Sequence, residues 1–150
     1  CKVNPPLRSA EHVEACVAGL IDGTLDVISS GHAPRATEKK MREIDNAPFG
    51  MVALETLLGL AITHLIVSGK LGWSALLAKL TVNPARVLGL ARGTLAVGDA
   101  ADITIIDPNL VWKVDPRAFR SKSSNTPLAG EELTGKAIAA IVGGEVRYGV

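Results

Sequence analysis

The sequence has few cysteines and few aromatic residues. Only Cys1 and Cys16 occur among its 150 residues, there is no Cys-x-x-Cys pair, and aromatic residues make up 3%. A disulfide-rich scaffold and a cysteine-based zinc module both need more cysteines, so both are excluded. A reducing, cytoplasmic environment is therefore expected.

Runs of one charge and long apolar segments are also missing. The 16 Lys and Arg residues nearly balance the 15 Asp and Glu residues, and the basic residues are scattered. This pattern predicts no nucleic-acid partner and no anionic membrane surface as partner. The most apolar run, residues 51–67, contains Glu55 and His64 and is short for a bilayer, so no membrane span is predicted.

The N-terminus has neither an initiator methionine nor a signal-peptide pattern. It opens with Cys-Lys-Val-Asn-Pro-Pro, which is typical of the end of a strand stopped by proline. We therefore expect the chain to be a piece of a longer protein.

The rest of the chain is globular in composition, with 47% hydrophobic and 21% charged residues. Ser9 is a candidate N-cap for a helix whose apolar residues recur at helical spacing as far as Gly23. Residues 25–28 form a short apolar run predicted to be a buried parallel strand. The loop that follows, residues 29–50, is long enough to suggest a functional role.

The remaining pattern divides the chain into an α/β part and a β-rich part. Three more helices are predicted, over residues 51–68 and packed on both sides, from an N-cap at Ser74 to about Leu80, and from Asn83-Pro84 to Leu88. Four strands are predicted after them, over residues 93–98, 101–107, 137–142 and 145–148, the last two flanking Gly143-Gly144 as a hairpin. The first part therefore covers residues 1–88 with parallel βα units, and the second covers residues 89–150.

The stretch from Ile28 to Arg35 is the best candidate for a functional site. His32 lies just past the predicted strand, where α/β folds place their sites, and Asn4 ends the preceding strand at the same rim. The alternatives are a loop histidine bonded to backbone and an asparagine that caps a turn. His12 and His64 are expected to be surface or core residues.

No self-sufficient catalytic constellation is present. The sequence has no His-x-His, no Gly-x-Ser-x-Gly and no phosphate-binding glycine loop. The residues present therefore do not form a catalytic site by themselves.

A series of motifs, in order, resembles the C-terminal part of a dihydroorotase of the amidohydrolase superfamily. They are Lys2-Val-Asn-Pro-Pro-Leu-Arg8, Asp22-Gly-Thr-Leu-Asp-Val-Ile28, His32-Ala-Pro34, Ala47-Pro-Phe-Gly50, Leu54-Glu-Thr56, Asn83-Pro-Ala-Arg86, Gly93-Thr-Leu95, Ala101-Asp-Ile-Thr-Ile-Ile-Asp107, Ser121-Lys-Ser-Ser-Asn-Thr-Pro127 and Ile141-Val-Gly-Gly144. Together they extend over nearly the whole chain.

The resemblance implies a fold and a reaction. Residues 1–88 resemble the last strands and helices of a metal-dependent-hydrolase (β/α)8 TIM barrel, and residues 89–150 the C-terminal share of its flanking β-sandwich domain. The implied reaction is reversible hydrolysis of dihydroorotate to N-carbamoyl-aspartate in pyrimidine synthesis. It takes place on zinc, which lowers the pKa of bound water and polarises the carbonyl.

The resemblance also implies roles for individual residues. Asn4 resembles the asparagine that hydrogen-bonds the substrate, and Pro48-Phe49-Gly50 resembles the loop whose backbone contacts the pyrimidine ring. His32 lies in the family's Asp-His-Ala-Pro-His block, where it is a substrate-binding candidate.

Two positions of that block differ from the family. Gly31 replaces the aspartate that binds metal and moves the proton, and Arg35 replaces the second histidine, which holds the substrate. Glycine can do neither task of the aspartate, whereas Arg35 could still bind a substrate carboxylate. The chain alone is therefore expected to be inactive, with no metal ligand of its own.

Two alternative functions stay open. One is a non-catalytic dihydroorotase-like scaffold, with aspartate transcarbamoylase, a second copy or the rest of the barrel as partner. The other is a different cyclic amidohydrolase, specific for hydantoin or allantoin.

Overall fold

The secondary structure of residues 2–149 combines short helices with one small sheet in a computed structural model. The helices are α1 (Ala10–Asp22), α2 (Thr37–Lys40), α3 (Leu57–Ala61), a π-helix (Ile62–Ile66), α4 (Trp73–Leu80), α5 (Val82–Val87) and a 3₁₀ turn (Pro116–Ala118). The strands are β1 (Ile103–Lys113), β2 (Glu132–Val142) and β3 (Glu145–Tyr148). Within this range no helix has the length and apolar character needed to cross a bilayer.

Helix α1 follows the sequence prediction at both ends. Ser9 is its N-cap residue and Gly23 ends it in the left-handed conformation, with φ 87°. The Ser9 side chain makes no capping bond, because its Oγ lies 2.7 Å from Nδ1 of His12. His12 is exposed, as expected.

The prediction of a strand over residues 25–28 is wrong, because these residues pair with no β-strand in the described part of the chain. Helix α4 binds them instead. The Ile28 amide donates to the carbonyl of Lys79 at 3.1 Å, and the Lys79 ammonium, in a side chain only 6% exposed, donates to the carbonyl of Leu25 at 2.5 Å. Residues 2–4 likewise form no strand there.

The long helix predicted over residues 51–68 starts late and changes type. Helical structure begins at Leu57 and becomes π-helical from Ile62. The amides of Val52, Ala53 and Leu54 donate to loop partners, which holds this part of the run outside the helix. The segment is also buried on one side only, since His64 and Val67 are exposed.

Several other predicted elements also differ in their boundaries or in their type. Gly72 and not Ser74 is the N-cap of α4, and α5 begins one residue early, at Val82. Residues 93–98 form turns and bends, and the strand predicted at 101–107 is part of the longer β1.

The sheet is antiparallel with the order β1-β2-β3. Strand β1 pairs with β2 from Ile103 opposite Ile141 to Lys113 opposite Glu132. The hairpin predicted around Gly143-Gly144 is confirmed as the β2–β3 connection. The architecture is therefore α/β with a small antiparallel sheet.

The core lies between the helices and extends to the sheet. Ala61, Ile62, Leu65 and Leu76 form a buried cluster, against which Ile106 of β1 packs. Strand β2 approaches the π-helix closely at Gly135, where an added Cβ would lie 2.3 Å from Cδ1 of Ile62. The boundary predicted at residues 89–92 stays a prediction.

Candidate functional site

His32 is fixed by the backbone that precedes α3. Its Nδ1 accepts hydrogen bonds from the amides of Ala53 at 3.2 Å and Leu54 at 3.1 Å. An Nδ1 atom that accepts two N–H groups carries no proton, so the neutral ring has its proton on Nε2. The half-buried side chain therefore has one nitrogen left to donate to a ligand.

Gly31 lies beside His32 in an open position. Its φ is +59°, in the left-handed region, and no heavy atom lies within 4 Å of an added Cβ. A side chain at residue 31 would thus enter free space. What disfavours residues other than glycine at this position is the left-handed backbone conformation.

Arg35 and Phe49 connect the two halves of the loop. The Arg35 Nε donates to the carbonyl of Phe49 at 2.9 Å, and both residues are exposed. The Lys2 ammonium lies 4.9 Å from the centre of the Phe49 ring, within cation–π range. Arg35 therefore contacts the loop predicted to bind the ring, through one nitrogen of its guanidinium.

Gly50 is buried where the two segments meet. Its amide donates to the carbonyl of Lys2 at 3.0 Å, and an added Cβ would lie 2.4 Å from the carbonyl oxygen of Ala33. The amide of Ala33 donates to the carbonyl of Met51 at 2.9 Å. Glycine is needed here because residues 33 and 50 approach so closely, at a φ of +125°.

Pro48 and Asn4 differ in how they are held. The carbonyl of Pro48 accepts a hydrogen bond from the Lys40 ammonium at 3.0 Å. Asn4 is exposed, and its side chain forms no hydrogen bond within residues 2–149. The structure thus brings together His32, Arg35 and the 48–50 loop, and shows no contact that joins Asn4 to them.

Asn125 is a site residue that sequence reasoning missed. Its Oδ1 accepts from the Arg35 amide at 3.2 Å, its Nδ2 donates to the Gly50 carbonyl at 3.1 Å, and its carbonyl accepts from the Val52 amide at 2.8 Å. The available signal was its place in the Ser121–Pro127 motif.

Glu55 was missed as well. Its carboxylate accepts from the amides of Arg120 and Ser121 at 2.9 and 3.0 Å, and from the Ser121 hydroxyl at 2.5 Å. Partial burial raises its pKa, but the hydrogen bonds from Ser121 and Arg120 together outweigh burial and leave the pKa below its usual range. Glu55 therefore anchors the segment that carries Asn125.

A cavity of about 420 Å³ lies beside the loop. Its lining contains three cationic side chains and no carboxylate: Lys2, Lys40, Arg42, Ile44, Ala47, Gly50, Met51, Asn125, Thr126 and Pro127. Within residues 2–149, none of the three cations forms a salt bridge. The loop therefore borders a positively charged space suited to an anionic group.

The described residues do not provide a metal centre. Across residues 2–149, no three His, Cys, Asp or Glu side chains are grouped so that they could hold an ion. Gly31 has no side chain that could ligate a metal, and Nδ1 of His32 accepts hydrogen bonds from two amides. These residues do not fit the zinc implied by the resemblance.

The sequence of this chain is similar to those of two curated dihydroorotases. The chain is 56% identical over 145 residues to a dihydroorotase of Pelotomaculum thermopropionicum. The matched residues make up 97% of this chain and 34% of that protein. It is 46% identical over 147 residues to a dihydroorotase of Clostridium acetobutylicum. Here the matched residues make up 98% of this chain and 35% of that protein.

A solved structure of another protein has the same fold over nearly all of this chain. The L-hydantoinase of Arthrobacter aurescens superposes with a TM-score of 0.92 at 33% identity, over 99% of this chain and 34% of that one. The chain thus spans about a third of the length of its relatives. The sequence profile of the amidohydrolase family matches residues 3–147, and the chain therefore belongs to that family.

Proposed function

We propose that this chain is the C-terminal part of a dihydroorotase-type cyclic amidohydrolase, the end of its (β/α)8 barrel followed by part of a β-sandwich domain. The complete protein would interconvert dihydroorotate and N-carbamoyl-aspartate in pyrimidine biosynthesis. The observation that carries the proposal is identity of 46–56% to dihydroorotases over nearly all of this chain.

In this proposal the chain supplies substrate-binding groups. The terminal nitrogens of Arg35 are exposed and suited to a bidentate bond with the carboxylate that both dihydroorotate and N-carbamoyl-aspartate carry. His32 can donate from Nε2. The Phe49 amide has no hydrogen-bond acceptor within residues 2–149, so it can donate to a ring carbonyl. Asn4 is a further candidate by its motif.

The proposal assigns no proton transfer and no metal chemistry to this chain. Zinc in such an enzyme would supply an activated water, but neither Gly31 nor His32 is suited to ligate it here. We therefore expect the 150-residue chain to be inactive by itself.

Two observations support other candidates. The likeness to an L-hydantoinase structure at 33% identity favours a related cyclic amide as substrate. Gly31 favours a non-catalytic relative that acts as a scaffold for aspartate transcarbamoylase or as a homodimer, since the position cannot act as a base.

The test is an assay of the full-length protein on dihydroorotate, hydantoin and allantoin, together with metal analysis and calorimetric titration of each compound. We expect dihydroorotate to bind most tightly and any turnover to be confined to it. Preference for hydantoin or allantoin would replace the proposed substrate. A protein with no metal, no binding and no turnover, but with affinity for aspartate transcarbamoylase, would be a scaffold.

A further inference from the structure

Asn125 is the residue through which a distant segment holds both halves of the loop. It lies 90 residues from Arg35 and 75 from Gly50 along the chain, yet its side-chain amide bonds to both. We propose that Asn125 is a positioning residue that sets the spacing between the His32–Arg35 segment and the Pro48–Gly50 segment. The inference rests on the proposed function for its effect on ligand binding.

The chemistry of the side chain suits this task. The carbonyl oxygen of Asn125 accepts from the Arg35 amide while its NH₂ group donates to the Gly50 carbonyl, so both ends are used at once. An aspartate would keep the acceptor and lose the donor, and an alanine would lose both. The Asn125 main-chain carbonyl adds a third bond, to the Val52 amide.

Asn125 is itself held in place by its own segment. The Ser123 hydroxyl lies within hydrogen-bond distance of Asn125 Oδ1 and of the Arg35 carbonyl, and Glu55 fixes Ser121. The Arg35 backbone is thus bonded at both its amide and its carbonyl to residues 123–125. A rigid support of this kind is what keeps a ligand-contacting group in its working geometry.

The groups that depend on this support are those proposed to contact the ligand. Arg35 Nε donates a hydrogen bond to the Phe49 carbonyl. The exposed end of the guanidinium and the Phe49 amide therefore keep a fixed distance from each other only while the backbones of residues 35 and 50 keep their relative positions. Loss of the Asn125 side chain would free both segments, and the cost would appear in ligand affinity.

The experiment compares Asn125→Ala and Asn125→Asp in the full-length protein, with Asn109→Ala as a control. Asn109 is exposed on β1, and its side chain makes no hydrogen bond within residues 2–149. Amide hydrogen exchange is measured at Arg35, with the amides of β2 as internal reference, and the Kd for N-carbamoyl-L-aspartate by calorimetry.

For Asn125→Ala we expect exchange at Arg35 about tenfold faster relative to β2, and binding about tenfold weaker, the loss typical of a hydrogen bond. Asn125→Asp should keep Arg35 protected but still weaken binding, because its second carboxylate oxygen repels the Gly50 carbonyl. Equal acceleration at Arg35 and in β2, or unchanged exchange at Arg35, would overturn the inference. If the unmodified protein binds no N-carbamoyl-L-aspartate, the proposed function fails, and the ratio of Arg35 to β2 exchange still decides the role of Asn125.

Discussion

At the scale of single residues, the proposed function gives His32 a role in ligand binding and Gly31 no role in catalysis. His32 is held by two amides in a form that can donate to a ligand, so a binding role is compatible with its surroundings. Gly31 lies next to it with open space and no functional group. Under the proposed function, residue 31 is the position at which a carboxylate is missing.

Replacing that residue is the direct test. We expect Gly31→Asp in the full-length protein to raise dihydroorotate turnover by about 10²- to 10⁴-fold, the usual contribution of a general base. The side chain meets no neighbour, and aspartate tolerates the left-handed φ of +59° better than most residues. Steady-state kinetics measure the gain, alone and together with Arg35→His.

The control is Gly23→Asp, at another left-handed glycine with open space, which should leave turnover unchanged. If Gly31→Asp gives no gain while the protein stays folded, the complete protein lacks more than this carboxylate. That outcome would favour the scaffold function.

Glu55 gives a prediction about pH. Its lowered pKa means that its ionised form stabilises the fold above the ordinary glutamate value of 4.5, and that this stability is lost as pH falls through the lower folded pKa. We expect Glu55→Gln to lower the free energy of unfolding at pH 7 by about 1–2 kcal/mol, since charged hydrogen bonds are weakened.

Urea denaturation between pH 3 and pH 7 should show the Glu55→Gln deficit shrinking toward the acid end. Glu14→Gln, at an exposed position of α1, is the matched control and should give little change at any pH. A deficit that is constant with pH would mean that packing, and not the charge of Glu55, stabilises this contact.

At the scale of elements, the sequence could predict the helix ends and turns that depend on residues close to them in the chain. Ser9 and Gly23 bound α1 as predicted, and Gly143-Gly144 marks the β2–β3 hairpin, because caps and turns depend on neighbouring residues. The late start of α3 and the irregular residues 25–28 depend on distant partners, Asn125 and Lys79. For the same reason the motif located His32 and Gly50 but gave no role to Asn125 or Glu55, whose partners lie 65–90 residues away.

The contact between β2 and the π-helix gives the prediction at this scale. Gly135→Ala places a Cβ 2.3 Å from Cδ1 of the fully buried Ile62, at a φ of +84°. We expect a loss of about 2–4 kcal/mol in unfolding free energy from overpacking and left-handed strain together. Chemical denaturation of the full-length protein measures it.

Gly143→Ala separates these two contributions. It lies at a φ of +58° with nothing within 4 Å, so it should lose only about 1 kcal/mol from backbone strain. Equal losses at the two positions would show that strand β2 can move away from Ile62 at no cost.

At the scale of the whole molecule, the chain leaves apolar surface uncovered. No residue of α1 is buried, and its Val13 and Ile21 are 54% and 56% exposed. Strands β1 and β3 are both sheet edges, with Val111 and Val146 exposed. Exposed apolar faces and open edges of this kind favour association with other protein surfaces.

We therefore expect the 150-residue chain, produced alone, to self-associate in a concentration-dependent way, and the full-length protein to do so less. Sedimentation velocity over a range of concentrations measures this. Val13→Lys with Ile21→Lys should shift the chain toward monomer, because the charges interrupt the apolar face of α1. The matched pair Thr37→Lys with Ser74→Lys, at two exposed polar positions, adds the same charge without removing apolar surface and should leave association unchanged. Equal effects of the two pairs would mean that added net charge prevents association, and monomeric behaviour of the unmodified chain would mean that the α1 face needs no partner.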